Sequence, residues 1–525
     1  MKFYKRFFCC FMAVLLAAAT LASCKSDKDT DSQSSGISGG EAIKDAELDF
    51  SNDKEITVTV LTNDYVSEPI SGDQLILKEL SKRTKVNFEF QVVPSADYTT
   101  KLNTLIFSGR MPDFVNVVSP DLVSNYFGDG VFTRLNELID TCGKSLKKCI
   151  DKIEGMDKNL KDNDGNIWFL PRIDTSGLNT MYIINKKFLD QCKLSVPTTT
   201  DELYNCLKAF KSLGNNVIPL GAGYATSLEM PIFNAFGTSY STRWLYIDNE
   251  YLYVPYEHGD RVKAALMFLN KCYSEGLIDK EYYALSNDDA FTKMESGNLG
   301  VFNCWQDGVP GWMEGNEDNP GLSYVPLYPL SSEFGQGITS RRSPLSGYYA
   351  ISSNSKYADR IVKTVNYMCT DEGIDLMNWG IKGDTYTVDS DGNKKFTDKI
   401  MKYDNNDPVN GRRHYGMDQV NFINFMDIMS WAQTVEDPLP EVMKNLEKYY
   451  IPDQPNIILS SKDSDKVAQI MADVDKYVTT CYQQFICGQL NFTSDWENFR
   501  YQMKKMGVEE AISIKREAFK KWNAR

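Results

Sequence analysis

Between Glu55 and Ser119 the chain alternates strand-like and helix-like segments in an order that few architectures accommodate. Glu55-Ile-Thr-Val-Thr-Val-Leu61 is rich in β-branched residues, which suit a buried strand. A helix is expected from about Gln74 to Thr84, with Leu75, Leu77 and Leu80 apolar. Val86 to Val93 reads as a second strand and Ala96 to Phe107 as a second helix. Gly109-Arg-Met-Pro-Asp-Phe-Val-Asn-Val-Val118 then leads into a strand ending at Ser119. This β-α-β-α-β order predicts a parallel sheet covered by helices.

The alternation continues. A polar, hairpin-like stretch, Lys161 to Pro171, precedes the strand Met181-Tyr-Ile-Ile-Asn185. Pro197-Thr-Thr-Thr-Asp-Glu202 opens a helix, with Thr200 or Thr199 as N-cap and carboxylates in the first turn. Helices over Arg261 to Gly276 and Phe291 to Ser296 lead to a strand, Leu299-Gly-Val-Phe-Asn303. The last 150 or so residues read as mainly helical, including Asp359 to Cys369, Phe422 to Trp431 and Ser464 to Cys487. No period of about 20 to 50 residues recurs, which excludes a solenoid.

The N-terminus assigns the compartment. Lys2, Lys5 and Arg6 precede the apolar run Phe7 to Ala22, which is shorter than the about 20 residues of a membrane span and fits an export signal. Its end, Leu21-Ala22-Ser23-Cys24, resembles a bacterial lipobox, where cleavage leaves an N-terminal Cys that is lipidated. An ordinary secretory signal and an uncleaved anchor are the alternatives, and all three place residues 25–525 outside the cytoplasm. Residues 25–53 are rich in Ser, Asp, Gly and Lys, composing a flexible tether with a reach of about 30 Å.

Losing Lys2, Lys5 and Arg6 with the signal takes the formal charge from -14 to -17. So acidic a surface repels nucleic acid and acidic lipid headgroups. The 8 Trp, 29 Tyr and 27 Phe suit flat, partly apolar ligands such as sugars, although most of these rings belong in cores. Of the 12 Cys, Cys9 and Cys10 lie in the signal and Cys24 at its junction. The remainder show no C-x-x-C and no regular spacing, so buried free thiols are expected rather than a disulfide framework or a zinc site.

Catalytic signatures are missing. Gly36-Ile-Ser-Gly-Gly40 matches G-x-S-x-G, but it lies in the tether, with no strand before it and no helix after it. His258 and His414 are the only two His and lie far apart, which argues against H-E-x-x-H and a His-based triad. No phosphate-binding G-x-x-x-x-G-K-[ST] is present. Asp162, Asp164, Asp389 and Asp391 lack the loop spacing of an EF-type calcium site and read as turn formers beside Gly165 and Gly392. Paired carboxylates for glycoside hydrolysis stay open, because their spacing is spatial.

Four stretches carry a family resemblance: Lys101-Leu-Asn-Thr-Leu-Ile-Phe-Ser-Gly-Arg-Met-Pro-Asp-Phe114; Lys187 to Leu203, with its Val-Pro-Thr-Thr-Thr-Asp-Glu; Ala264 to Asp279; and Phe485-Ile-Cys-Gly-Gln-Leu490 ahead of Asp495-Trp496 and Met503-Lys-Lys-Met-Gly507. In this order behind a lipobox, the chain resembles family 1 of the extracellular solute-binding proteins, the sugar-binding lipoproteins of ABC importers, and within it the large oligosaccharide-binding subfamily. Some members carry a calcium loop between the Pro-Thr-Thr helix and an Ile-Pro strand. Here that interval, Lys211-Ser-Leu-Gly-Asn-Asn-Val-Ile-Pro219, lacks the ligands, so no metal and no cofactor is expected.

The resemblance implies an α/β, two-lobe periplasmic-binding-protein-like fold with a hinge and a helical C-terminal portion. Expected boundaries are 1–23 for the signal, 24–53 for the lipidated Cys and tether, 54–175 plus roughly 335–430 for one lobe, and 176–334 plus roughly 431–525 for the other. It also implies a non-enzymatic monomer on the cell membrane, held by its lipid, that closes on an oligosaccharide and delivers it to permease subunits. An exported carbohydrate-active enzyme and a surface adhesion protein are the rival readings. Ligands of open α/β sheets lie beyond the carboxyl ends of strands. The candidates are therefore Asn63, Asp64 and Tyr65; Ser119 and Asp121; and Asn303 and Trp305. Trp244 is added by family position, Arg172 and Arg342 as donors to sugar oxygens or partners of carboxylates, and Trp431 as a ring at a helix end.

Overall fold

The structure, a computed structural model, describes residues 48–64, 69–120, 123–127, 129–223, 226–313, 322–404, 407–417, 422–434 and 439–525. The signal, Cys24 and nearly all of the tether lie outside them. The first strands are β1 (Ile56–Asp64), β2 (Val86–Pro94), β3 (Phe114–Asn116), β4 (Leu170–Ile173), β5 (Thr180–Asn185) and β6 (Ile218–Leu220). They are followed by β7 (Trp244–Ile247), β8 (Glu250–Tyr253), β9 (Leu299–Trp305), β10 (Tyr324–Leu327), β11 (Leu345–Ile351), β12 (Tyr386–Val388) and β13 (Lys394–Phe396).

Two sheets organise the molecule. One has the order β2-β1-β3-β11-β4 and the other β10-β5-β9-β6. The β1–β2 and β1–β3 pairs are parallel, with helices Leu75–Thr84 and Ser95–Ser108 as the crossovers. The expectation of a parallel sheet is corrected beyond that point, since β11 runs antiparallel to both β3 and β4. In the second sheet β5 is antiparallel to β10 and β9, while β6 and β9 are parallel. The mixture has a topological cause. A parallel neighbour within one lobe requires a crossover helix, whereas β11 arrives directly from the other lobe and enters the sheet reversed.

Strand direction fixes what faces what. The chain leaves β4 through residues 174–179 to start β5, and leaves β10 through residues 328–344 to start β11. With the pairings above, β1, β3 and β4 end, and β11 begins, at one edge of the first sheet. At the edge of the second sheet reached by the same passages, β6, β9 and β10 end and β5 begins. The carboxyl ends of both parallel sets are thus turned toward the crossing segments. These segments are bound to each other: the Asp174 amide donates to Pro344 O at 2.8 Å and the Asn179 side-chain amide to Ser340 O at 2.8 Å.

Apolar burial follows this division. One core spans Phe50 to Ile173 and Leu345 to Phe425; a second joins Tyr182 through Leu330 to the C-terminal helices Ser461–Ile486, Trp496–Lys505 and Val508–Asn523. A smaller one forms around Phe302, Trp312 and Tyr324 on the other face of the second sheet. Near its C-terminal part the chain passes between the two main cores, with Ile458 in the first and Ile457 and Leu459 in the second.

Local chemistry explains most boundaries. Thr199 is the N-cap of helix Thr200–Lys211: its hydroxyl accepts from the Glu202 amide at 3.1 Å, while Glu202 accepts from the Thr198 amide at 2.7 Å. Thr199→Ala should destabilise the protein by about 1 kcal/mol, read as a lower urea midpoint with unchanged slope; an unaltered midpoint would deny the cap its role. Asp162 and Asp389 build the same turn twice. Each accepts from the amides two and four residues ahead, with Gly165 and Gly392 in the left-handed region that a glycine adopts freely.

Two boundaries differ from expectation. The third strand stops at Asn116 rather than Ser119, because Val118 takes a positive φ of 58° and leaves the ladder. The helix expected from Phe422 to Trp431 is only Ile428–Ala432. Its first residues are instead extended. Phe425 bridges Ile173 in parallel, so the segment continues the first sheet beyond β4, and Phe422 packs against Phe88, Phe90 and Phe114. An aromatic-rich apolar run reads equally well as helix or strand until its partners are known.

Candidate functional site

The strand ends that face the crossing segments are held in place by buried amides. Asn63, at the end of β1, donates to the Ser95 hydroxyl at 3.3 Å and accepts from the Asn116 side chain at 3.0 Å. It therefore ties β1, β3 and the start of helix Ser95–Ser108 into one rim. Asn303 does the same in the second lobe, donating to Thr180 Oγ1 at 3.2 Å and Ser227 O at 2.9 Å. Both are essentially inaccessible to solvent, and in this state they shape the rim rather than project from it. Gly223 is obligatory here, since a Cβ at that position would lie 1.7 Å from Asn303 O.

Beyond this rim stand the accessible groups. Trp305, the last residue of β9, is 39% exposed, an unusual state for an indole at the end of an otherwise buried strand. Gln306 is buried: its side-chain oxygen accepts from the Asn179 amide at 2.9 Å, while its Nε2 has no hydrogen-bond partner in the protein. Asp307 follows and is exposed. Its carboxyl is nonetheless pushed above the ordinary value, by crowding of protein around it, and is partly held down by the charges of Arg413 and Arg342.

Those two arginines belong to different parts of the fold. Arg342 is on the segment between β10 and β11, exposed, its backbone amide bonded to Gly177 O at 3.3 Å. Arg413 is in helix Pro408–His414 of the first lobe, where Gln74 donates to its carbonyl at 2.8 Å. An acid of the second lobe thus feels the charge of a base of the first lobe and of a base of the passage between them. With Trp305 two residues before Asp307, an apolar ring face, an acceptor and two guanidinium charges belong to this part of the lobe junction, groups that complement a polyhydroxylated ring. Asp307 and Arg413 were missed from sequence. The only signal for Asp307 is its place two residues past the strand-end Trp305.

The remaining candidates are distributed unevenly. Ser119 is partly exposed beyond β3. Tyr65 and Asp121, and the side chain of Asp64, lie outside the described residues. Arg172 is buried, donating to the Ser346 hydroxyl at 2.7 Å with the Asp174 carboxylate at 3.7 Å, so it fastens β4 to β11. Trp244 is engaged in packing: its ring lies against Tyr251 and Tyr253 of its own hairpin, with Lys515 Nζ 5.8 Å from its centre. Trp431 is half-buried in helix Ile428–Ala432, on the passage leaving the first core.

Among the described residues no group of three or more His, Cys, Asp or Glu could hold a metal ion. The loop from Lys211 to Ile218 joins helix to strand directly. Adding a chelator should leave the unfolding midpoint unchanged; a drop of many degrees would reveal a structural ion. No described helix is long and apolar enough to cross a membrane.

Comparisons with known proteins agree with the fold. Residues 66–374 match the family model for bacterial extracellular solute-binding proteins. Among curated proteins the chain is 25% identical to the fructooligosaccharide ABC transporter substrate-binding protein FusA of Streptococcus pneumoniae, over 98% of each chain. It is 24% identical to Lipoprotein LipO of Bacillus subtilis, over 92% of each. Among solved structures it superposes on the alginate-binding protein AlgQ2 without calcium ion with a TM-score of 0.75, at 22% identity over 91% of this chain and 100% of that one. For FusA in complex with kestose the TM-score is 0.72, at 23% identity over 89% of this chain and 100% of that one. With the family model covering more than half of its length, the chain belongs to the bacterial extracellular solute-binding proteins.

Proposed function

We propose that this protein is the extracytoplasmic binding component of an ABC importer and captures an oligosaccharide between its two lobes. The observation that carries the reading is the exposed Trp305 at the end of its strand, two residues before an Asp307 whose carboxyl is influenced by the charges of Arg413 and Arg342. An indole can stack on the apolar face of a sugar ring while a carboxylate accepts from its hydroxyls and guanidinium groups donate to its oxygens. The relatives named above, one titled for fructooligosaccharide and one for alginate, support a carbohydrate ligand.

Closure occurs about the paired segments 174–179 and 328–344, whose mutual hydrogen bonds let the lobes rotate as bodies. The closed form then presents both lobes to a permease. The lobes comprise residues 54–175 plus roughly 335–430 and residues 176–334 plus roughly 431–525. The protein works as a monomer, without covalent chemistry, tethered through a lipid on Cys24; mass spectrometry of the membrane fraction should find Cys24 as the acylated N-terminus. The decisive test is a thermal-shift screen of the purified protein against oligosaccharides, followed by calorimetry on any that bind. A higher midpoint with the sugar recovered intact supports the reading. Release of hydrolysis products would replace it with an enzyme, and silence across a broad panel would remove the sugar.

A further inference from the structure

Nine thiols lie among the described residues, five of them buried. Burial raises those of Cys206 and Cys272 to about 11 and about 12, which leaves them inert as thiolates. Cys149 and Cys369 differ, because they face each other. Cys149 is in helix Lys144–Asp151 and Cys369 follows helix Ala358–Met368, two elements packed together in the first lobe. The Cys149 thiol donates to the Cys369 carbonyl at 3.5 Å, while the Cys369 thiol donates to Val365 O at 3.1 Å, and the two thiols lie close enough to shift each other's pKa. One turn earlier, Asn366 Oδ1 accepts from the Ser145 amide at 2.7 Å and the Leu146 amide at 3.0 Å, which locks the register of the two helices. Cys149 is partly exposed, whereas Cys369 is buried.

We propose that Cys149 and Cys369 form a dithiol site that a disulfide oxidant outside the cell converts to a disulfide bond within the first lobe. With Cys149 Sγ already at the backbone of Cys369 and the two helices held in register, side-chain rotation is what remains to bring the sulfurs to a bonding distance of about 2.05 Å. Cys149 is the entry point: the neighbouring Cys369 side chain and the nearby Lys152 charge lower its pKa against the opposing effects of burial and Asp371. Its thiolate attacks a sulfur of the oxidant RSSR, forming a mixed disulfide and expelling RS⁻. Cys369, whose burial holds it protonated until then, gives up its proton to that thiolate and attacks Cys149 Sγ, expelling the second RS⁻. Two protein thiols are oxidised and RSSR is reduced to two RSH, so atoms and electrons balance. The bond would span a long stretch of chain and restrict the unfolded state accordingly.

The test uses the purified protein incubated with hydroxyethyl disulfide, then alkylated and mapped by mass spectrometry without reduction. The expected result is a cross-linked pair of peptides carrying Cys149 and Cys369, a thiol titre lower by two, and an unfolding midpoint higher by a few degrees. Cys369→Ala, which keeps an apolar side chain in the core, should stall Cys149 as the mixed disulfide. Cys149→Ser, at the more exposed position, should leave Cys369 reduced and abolish the midpoint shift. If either variant fails to fold, the wild-type peptide map still decides. Cys149 and Cys369 both recovered as alkylated thiols, or Cys149 found joined to Cys142 instead, would overturn the proposal.

Discussion

Trp305→Ala is expected to weaken oligosaccharide binding roughly 5- to 140-fold, the equivalent of about 1–3 kcal/mol for an aromatic anchor at an interface. The ring is 39% exposed in the ligand-free molecule, so its removal leaves no closed cavity and the unfolding midpoint should barely move. Its neighbours separate a binding loss from a folding loss. Cys304 and Phe302, on the same strand, are buried in the small core around Trp312, and truncating Phe302 would lower stability by about 3–5 kcal/mol through the space it vacates. Calorimetric titration and thermal unfolding on the same Trp305→Ala sample distinguish the two. Unchanged affinity would remove Trp305 from the site and with it the main support for a sugar at this junction.

Trp379→Ala should produce the largest loss of stability, about 3–5 kcal/mol. The indole is only 2% exposed, lies 4.9 Å from Phe396 and 6.0 Å from Tyr386 between ring centres, and donates to Asp427 Oδ2 at 2.7 Å. Asp427 in turn caps helix Ile428–Ala432 through the Met429 amide. The substitution therefore empties a core position and frees a carboxylate at the start of the passage toward the second lobe. Urea unfolding measures the first effect. Trp379→Phe measures the second, since it restores much of the packing but not the hydrogen bond, and it should recover most of the loss. A cost below about 1 kcal/mol for the alanine variant would mean that the site collapses around the vacancy.

Helix and strand order was legible where the signal is local. The segments from Ile56 to Ser108 follow from β-branched runs and apolar spacing. The Thr199 cap and the Asp162 and Asp389 turns likewise depend on residues within four positions of one another. The stretch Phe422 to Phe425 was misread because its conformation is set by Ile173, some 250 residues earlier in the chain. Trp244 shows the same limit at the site: a ring in a polar loop looks available until Tyr251, Tyr253 and Lys515 are seen against it.

The sequence by itself determined the alternating α/β architecture and the lack of a recognised catalytic motif, and it carries the pattern from which an export signal is expected. Each of these is written in periodicity, capping chemistry or a contiguous motif, all of which act over a few residues. Only the tertiary structure decided which charges act on Asp307. Asp307, Arg342 and Arg413 come from the second lobe, the passage between lobes and a helix of the first, and no local rule relates them. The same holds for Arg172, whose role was set by the arrival of Ser346 on a strand from the far side of the molecule. Coulombic and packing partners are chosen by how two separate cores dock through their crossing segments, and that docking sums many weak contacts distant in sequence.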